Sequence, residues 1–474
     1  MIAERSLKLF AETFAHNTRV DVSLDTVRGR RLVARAAVDV GATLIDRESP
    51  AVFAPLDDAC HACLSPLATE SSKRCGACRR AFYCSAGCQR AGWSEHKADC
   101  RAISQLPADA VEHVLPHIML TVRIAWLFIR ERKSPRVERI STLLSNAAFL
   151  VEAQTAVLNA EATLASRILF LQAAPDTQYV SVPFLTSILA TITTNAIGVT
   201  EATEYTDVGV GLYERLALLN HSCDPNAVIL FDKQFAVLRA IRPIAAGEEL
   251  TISYCDRATD RYVRQKLLLE RYRFSCACPR CSGSLHADVF DVSLRCCAAG
   301  NGLCDGQVVR QSADAAVGVC SKCGAERAFE APQAAASQAL TVVRAFDDRL
   351  RTKQFESLLR SVHPRSLAVR RFLQDAERDA LHAALGGAVA YGTVFRWSNA
   401  LLEFEKQRLG NCVDVALSKQ FFAAGRLALE GGEFAAAVPL LREALERMSV
   451  TCTSQQMLAS VRTYVLEAEQ RGLH

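Results

Sequence analysis

Between Cys60 and Cys100 the chain carries seven cysteines and one histidine, in the order Cys60-x2-Cys63-x11-Cys75-x2-Cys78-x5-Cys84-x3-Cys88-x7-His96-x3-Cys100. Zinc takes four thiolate or imidazole ligands in a tetrahedron, so eight spaced candidates supply two closed sites. Cys60/Cys63 and Cys75/Cys78 are two-residue knuckles. Cys84/Cys88 and His96/Cys100 stand four apart, which puts each pair on one face of a helical turn. Each site joins one knuckle to one helical pair, and spacing leaves open which goes with which. The linker Leu64 to Arg74 is polar and has no hydrophobic period, so this segment has little core and depends on metal to fold. Two ligand types on one strict spacing argue against a set of disulfides.

A chain of 474 residues exceeds one ordinary core, and typical domain sizes imply about three domains. Half the residues are apolar, so the chain should be globular throughout. Met1 to Val20 holds Glu4, Arg5, Lys8 and Glu12 without an apolar block, which argues against a secretory signal. Together with 19 cysteines this points to zinc and thiols in a reducing compartment. Without a strong basic run, cytoplasm and nucleus both fit. A net charge of +4 gives no strong nucleic-acid footprint. The most apolar helix candidate, His113 to Arg130, is interrupted by Arg123 and too short for a bilayer. Its Leu115, Ile118, Val122, Trp126 and Ile129 recur at helical spacing, as in a buried core helix.

Val27 to Phe53 alternates β-branched runs with Gly29, Gly41 and Pro50, which predicts antiparallel strands. Pro107 to Ala174 reads as helical. Val228 to Phe231, Ala236 to Ile241 and Leu250 to Ser253 read as strands again. Two strand-rich pieces separated by a finger and helices imply one sheet domain carrying insertions. Beyond Gln333 the pattern is helical. There Phe421 to Met448 holds a stripe including Leu427, Phe434, Val438 and Leu441, compatible with a tetratricopeptide-like helix pair or a plain bundle.

Cys276-x-Cys278-x2-Cys281 offers three close ligands and needs a fourth. The candidate is Cys223 in Asn220-His221-Ser222-Cys223-Asp224-Pro225-Asn226, a polar string directly after apolar Leu216 to Leu219. Such polar density beside a core strand costs stability unless it is hydrogen-bonded or binds something. Further on, Cys304, Cys320, Cys323 and one of the neighbours Cys296 and Cys297, with Cys297 taken, predict a ribbon-like fourth zinc site. Cys255, Cys412 and Cys452 have no partners at ligand spacing and read as ordinary buried residues.

Val208-Gly-Val-Gly-Leu-Tyr213, the Asn220 string, Gly247-Glu-Glu-Leu-Thr-Ile-Ser-Tyr254 and Tyr272-Arg-Phe274-Ser-Cys-Ala-Cys together resemble a SET methyltransferase domain with its post-SET zinc loop. The Cys60–Cys100 run resembles a MYND finger, and the order of motifs resembles the SMYD family over nearly the whole chain. The resemblance implies an α+β fold: a β-rich SET domain split by the finger and a helical insert, a post-SET zinc loop, and an all-α C-terminal domain. The implied boundaries are 1–58 for the N-terminal part of the SET domain, 59–100 for the finger, 101–178 for the insert and 179–256 for the SET core. The post-SET loop would cover 257–284, the Cys-rich ribbon-like segment 285–330 and the helical domain 331–474.

The resemblance also implies roles. The finger's two sites interleave, with Cys60, Cys63, Cys84 and Cys88 on one zinc and Cys75, Cys78, His96 and Cys100 on the other. The activity is methyl transfer from S-adenosylmethionine to a lysine amine of a histone or other protein. Asn195, Asn220 and His221 would hold the cofactor, with Gly29 and Arg30 beside it and Phe274 stacked on the adenine. Tyr254 would lie at the transferred methyl and Tyr272 would line the lysine channel. MYND fingers engage proline-rich peptides, so a scaffold with a weak SET domain is the alternative; the long tail favours a monomer. The alternative leans on one departure: the family commonly has a Gly-x-Gly turn where this chain has Arg28-Gly29-Arg30-Arg31, so Arg31 either points away from the site or crowds the cofactor. A second departure is Ala196-Ile197, where bulkier residues are common.

Overall fold

The structure, a computed structural model, describes residues 2–473 apart from 27, 68–71, 150, 173–179, 204–205, 258, 260, 283–293, 296–303, 305–306, 311–314, 321, 329–345, 362–366 and 410–411. It forms two compact units. One comprises Met1–Asn220, Asn226–Ile252 and Arg271–Arg273; the other comprises His221–Pro225, Ser253–Glu270 and Phe274–His474. The fold is mixed, with short sheets and helices followed by a helical C-terminal region.

The first unit is built from small antiparallel sheets. Val20–Asp25 pairs with Gly29–Ala34, Val22 facing Leu32, and Gly29 turns the chain at φ +76°. That conformation is open to glycine at no steric cost. The other edge of Gly29–Ala34 takes up residues 247–250, with Gly247 N donating to Ala34 O (2.7 Å) and Leu250 N to Leu32 O (2.8 Å). A second sheet has the order Ala227–Asp232, Phe235–Ala240, Thr43–Glu48. A third runs Val52–Pro55, Asp207–Leu212, Ile197–Thr200. Gly209 is required in this third sheet, because a Cβ there would lie 2.8 Å from Ala54 O. The helices Pro116–Arg130, Glu152–Leu171 and Val182–Asn195 pack on one another. The expected apolar helix starts at Pro116, not His113. Its flanking Leu115, expected in the core stripe, is 46% exposed because it precedes the first turn, while Ile118, Val122 and Ile124 are buried.

The second unit contains a four-stranded antiparallel sheet in the chain order Leu294–Arg295, Gln307–Arg310, Val317–Cys320, Glu326–Ala328. Helices follow at Asp348–Ser361, Leu367–Leu385, Tyr391–Leu409, Val415–Glu430, Phe434–Thr451 and Gln455–Gly472. Each packs mainly on its neighbour in sequence. Gly425 permits the closest approach: a Cβ there would come within 2.8 Å of Leu441 Cγ.

One acid is enclosed in the first unit. Glu48 is 5% exposed, and its Oε1 accepts from Arg215 N at 2.8 Å. Arg215 Nε stands 3.5 Å from Oε2, while neighbouring Glu214 is held by Arg136 and Arg139. Burial pushes the Glu48 pKa up to about 7; Arg215 opposes this and the charge of Glu214 adds to it. Between the ordinary glutamate value and about 7, the folded state therefore binds a proton that the unfolded state has lost. Stability falls as pH rises through that window, by at most about 1.4 kcal/mol per pH unit from this group. Glu48→Gln should flatten the pH dependence of the urea unfolding midpoint between pH 5 and 7 and leave the variant the more stable protein at pH 8. An unchanged slope would show that Glu48 titrates normally.

Candidate functional site

The structure gathers the ligand atoms of Cys60, Cys63, Cys84 and Cys88 within 4.8 Å of one another, and likewise those of Cys75, Cys78, His96 and Cys100. Sγ separations are 3.7 Å for Cys63–Cys84, 3.5 Å for Cys84–Cys88 and 3.7 Å for Cys75–Cys100. Cys78 Sγ lies 3.5 Å from His96 Nε2. Zinc–sulfur bonds of about 2.3 Å set tetrahedral edges of roughly 3.8 Å, so both groups could hold a zinc ion. Ser85 caps the helix Ala86–Ala91, its Oγ accepting from Cys88 N at 3.1 Å. The helix Trp93–Ile103 carries His96 and Cys100 one turn apart.

Each knuckle closes in the same way. Leu64 N donates to Cys60 O (2.9 Å) and Arg79 N to Cys75 O (3.1 Å). Leu64 and Arg79 have φ of +59° and +55°. Left-handed backbone costs an L-residue about 1–2 kcal/mol and persists where its surroundings over-determine it. Four side chains converging on one point would supply that constraint.

In the second unit Cys223, Cys276, Cys278 and Cys281 converge in the same manner, Cys223 Sγ lying 3.5 Å from Cys281 and 4.0 Å from Cys276. Two N–H donors point at Cys223 Sγ, Arg264 Nε at 3.2 Å and His221 Nε2 at 3.2 Å. Arg264 is fully buried. A buried guanidinium is strongly unfavourable without a compensating anion. Four thiolates around a dication carry a net charge of −2, so the donor set and the buried cation fit a zinc ion together. Sequence reasoning missed Arg264, since one arginine in the basic helix Arg261–Leu267 carries no signal in a sequence.

His221 joins this centre to Tyr254. Its Nδ1 accepts the Tyr254 backbone N–H at 2.9 Å, which leaves Nε2 to carry the proton directed at Cys223. The His221 ring lies 5.3 Å from that of Tyr254 and 6.0 Å from that of Phe274. Cys255 is no isolated core thiol: it is half-buried, and its sulfur groups with His221 and Cys223 within 4.8 Å. It was misread because its neighbours come from a distant loop and not from ligand spacing.

The segment after Tyr254 is tied to helices of the same unit. Arg370 reaches Asp256 (3.3 Å) and Glu405 (2.5 Å), and Arg257 reaches Asp414 (3.2 Å). Arg280 donates to the carbonyls of Arg257 (2.9 Å) and Cys223 (3.3 Å).

The first unit holds the remaining predicted residues. Asn220 Nδ2 donates to Arg30 O (3.2 Å) and Glu249 Oε1 (2.8 Å), while Asn226 bonds Glu248 Oε1 and the Glu249 carbonyl. Burial opposes ionisation of Glu248, but Ala245 N–H, Arg242 and Asn226 outweigh it and hold its pKa below the ordinary range. Gly29 thus lies one residue from the Asn220 contact. Arg30 packs over Phe10 and bonds Thr142. Arg31 pairs with Asp25 at 3.3 Å across the hairpin, since successive strand side chains alternate in direction. Asn195 Nδ2 donates to Leu144 O (2.6 Å) and Thr191 O (2.8 Å). Arg271, beside Tyr272, bonds Thr193 O and accepts from Asn146. One loop, Leu144 to Asn146, therefore ties the ends that carry Asn195 and Tyr272. The predicted Cys296 and Cys297 lie outside the described residues.

Residues 61–255 match the family model described as SET domain. The chain is 32% identical over 288 residues to the histone-lysine N-methyltransferase ASHR1 of Arabidopsis thaliana, covering 58% of this chain and 57% of that one. It is 34% identical over 226 residues to the histone-lysine N-methyltransferase SMYD3 of Mus musculus, covering 47% and 51%. To the SET domain and MYND-type zinc finger protein 6 of Schizosaccharomyces pombe it is 28% identical over 260 residues, 55% and 49%. The chain is a SET-domain protein. The matched relatives are named as histone-lysine N-methyltransferases or as a SET domain and MYND-type zinc finger protein. The chain spans about half the length of the curated relatives it matches. Among the described residues, no helix is long and apolar enough to cross a membrane.

Proposed function

We propose that this protein is an S-adenosylmethionine-dependent protein-lysine N-methyltransferase with a MYND finger, a post-SET zinc loop and a tetratricopeptide-like tail, divided near the boundaries expected from its motifs. It would carry zinc at the finger's two quartets and at Cys223, Cys276, Cys278 and Cys281. The observation that carries the proposal is His221, whose ring bonds both the Tyr254 backbone and Cys223 Sγ. A structural metal centre thereby fixes the one tyrosine whose hydroxyl the chemistry needs. The names of the relatives, histone-lysine N-methyltransferases, support the reaction class.

When bound, S-adenosylmethionine would supply a methyl group on a sulfonium sulfur. Because both His221 ring nitrogens are used within the protein, His221 would hold the cofactor by its backbone. Asn220 commits its Nδ2 to Arg30 and Glu249, which presents its Oδ1 as an acceptor for an ammonium. Asn195 is arranged alike. The ring of Phe274 offers a flat face for adenine, and Gly29 and Arg30 line the backbone beside Asn220. The Arg31–Asp25 pair supports the reading in which Arg31 points away from the site.

The substrate lysine must lose its proton before its lone pair can form the new nitrogen–carbon bond. A narrow channel lined by Tyr272 would favour the neutral amine by penalising charge. The Tyr254 hydroxyl would orient the reacting centre and stabilise developing charge there. The finger offers Trp93, 46% exposed, as an aromatic surface for an extended proline-rich peptide. The relatives' names support a protein substrate, histone or other; a monomeric state and a cytoplasmic or nuclear location are proposed from the sequence alone.

Methylation of bulk histones and of cell-extract proteins should be detectable with labelled cofactor, and Tyr254→Phe should lower kcat by about 10²–10³ with little change in cofactor affinity. Activity that survives loss of the hydroxyl contradicts the role given to Tyr254. Titration of the full chain with a proline-rich peptide should show binding weakened by Trp93→Ala; equal binding by both proteins removes the finger surface.

A further inference from the structure

We infer that Cys304, Cys320 and Cys323 hold a fourth zinc ion, a structural site that fastens the four-stranded sheet of the second unit to the helices that follow it. The inference is independent of whether the chain transfers methyl groups.

The sulfurs of these three residues lie within 4.8 Å of one another, with Cys304 and Cys320 3.8 Å apart. That is the edge length of a zinc–thiolate tetrahedron. The backbone is the stronger argument. At Cys320 the chain repeats the turn of the two finger knuckles. Gly324 N donates to Cys320 O (3.0 Å), as Leu64 N does to Cys60 O (2.9 Å) and Arg79 N to Cys75 O (3.1 Å). Cys320 N donates to Ala325 O (2.9 Å), as Cys60 N does to Ser65 O (2.9 Å) and Cys75 N to Ala81 O (2.9 Å). The residue after the second cysteine is left-handed in all three, at φ +59° for Leu64, +55° for Arg79 and +71° for Gly324.

The turn also prepares a thiolate. Lys322 N–H points at Cys320 Sγ from 3.4 Å, and hydrogen bonds to a sulfur favour its charged form. A two-cysteine turn with a third sulfur at ligand distance is the arrangement that the finger uses twice. Three thiolates leave one corner of the tetrahedron. Cys296 and Cys297 follow the strand Leu294–Arg295 directly in sequence but lie outside the described residues.

What the metal would stabilise can be read from packing. Cys320 and Val308 are buried in one cluster with Leu358, Phe372 and Trp397, and Cys304 and Ala325 pack against it. Cys320 and Val308 are paired across the sheet. A zinc ion here would lock the sheet end that forms the floor beneath the helices Asp348–Ser361, Leu367–Leu385 and Tyr391–Leu409.

The test is metal content of the full-length protein, reconstituted with excess zinc under reducing conditions and desalted, measured by mass spectrometry of the metal. Wild type should hold four zinc ions per chain and Cys323→Ser three. Cys323 is exposed, so its replacement does not disturb the core. Cadmium-113 spectra of the wild-type protein should show four resonances, of which Cys323→Ser removes one and leaves the rest in place. Three zinc ions in wild type, or a count unchanged in Cys323→Ser, overturns the site. Neither result depends on catalysis, so its failure and the failure of the methyltransferase proposal are separable.

Discussion

The interaction on which the second unit turns is the approach of two N–H groups to Cys223 Sγ, from buried Arg264 and from His221. A guanidinium with no solvent access is tolerable only opposite lasting negative charge. Four thiolates around a zinc ion would contribute such charge beside Arg264, whose guanidinium also donates to the Thr259 carbonyl, and would gather Cys276, Cys278 and Cys281 around it. The His221 tautomer then follows from bonding alone: a ring that donates toward sulfur through Nε2 must accept through Nδ1, and the acceptor position is filled by Tyr254 N–H. The Cys223 sulfur, histidine and tyrosine backbone form one chain of constraint.

Similar economy governs the finger. Among the described residues its own buried cluster is Cys60, Cys75, Ala81, Tyr83 and Cys100, few side chains with which to fix a fold by burial. Ligation at the two quartets would substitute for core, and would sustain the left-handed Leu64 and Arg79 that an unconstrained loop would avoid. Elsewhere in the first unit Glu249 is shared by Arg28 and Asn220, which ties residues 247–250 to Asn220. In the second unit, Arg257 and Arg370 anchor the segment after Tyr254 to helices. The position of that tyrosine therefore rests on two supports, the His221 ring that links it to Cys223 and the ion pairs of the following segment.

Much of this was legible in the sequence because ligand spacing is short-range. The knuckles, the helical pairs and the Cys276–Cys281 triplet each lie within a short stretch of chain, and Cys223 follows as the distant partner from the number of ligands a tetrahedral site needs. The interleaved pairing came from family resemblance, and the structure groups the residues that way. Long-range roles left no such trace. Arg264, Arg370 and Asp414 look like ordinary helix charges until the fold brings them to Cys223, Asp256 and Arg257. Arg31 looked like an obstacle because sequence shows the missing glycine and not Asp25 across the hairpin. Leu115 satisfied the helical period but sits before Pro116, where the helix begins, so periodicity placed it in a core it does not reach.

The central claim is that the Cys223 centre organises the residues that would hold the cofactor. Its most direct test is calorimetric titration of the zinc-loaded full chain with S-adenosylmethionine, wild type beside Cys278→Ser. Saturable binding by wild type, with the variant short of one zinc ion and at least tenfold weaker in affinity, is the predicted result. Wild-type affinity retained after that zinc is lost, or no binding by a fully loaded wild type, would contradict the account.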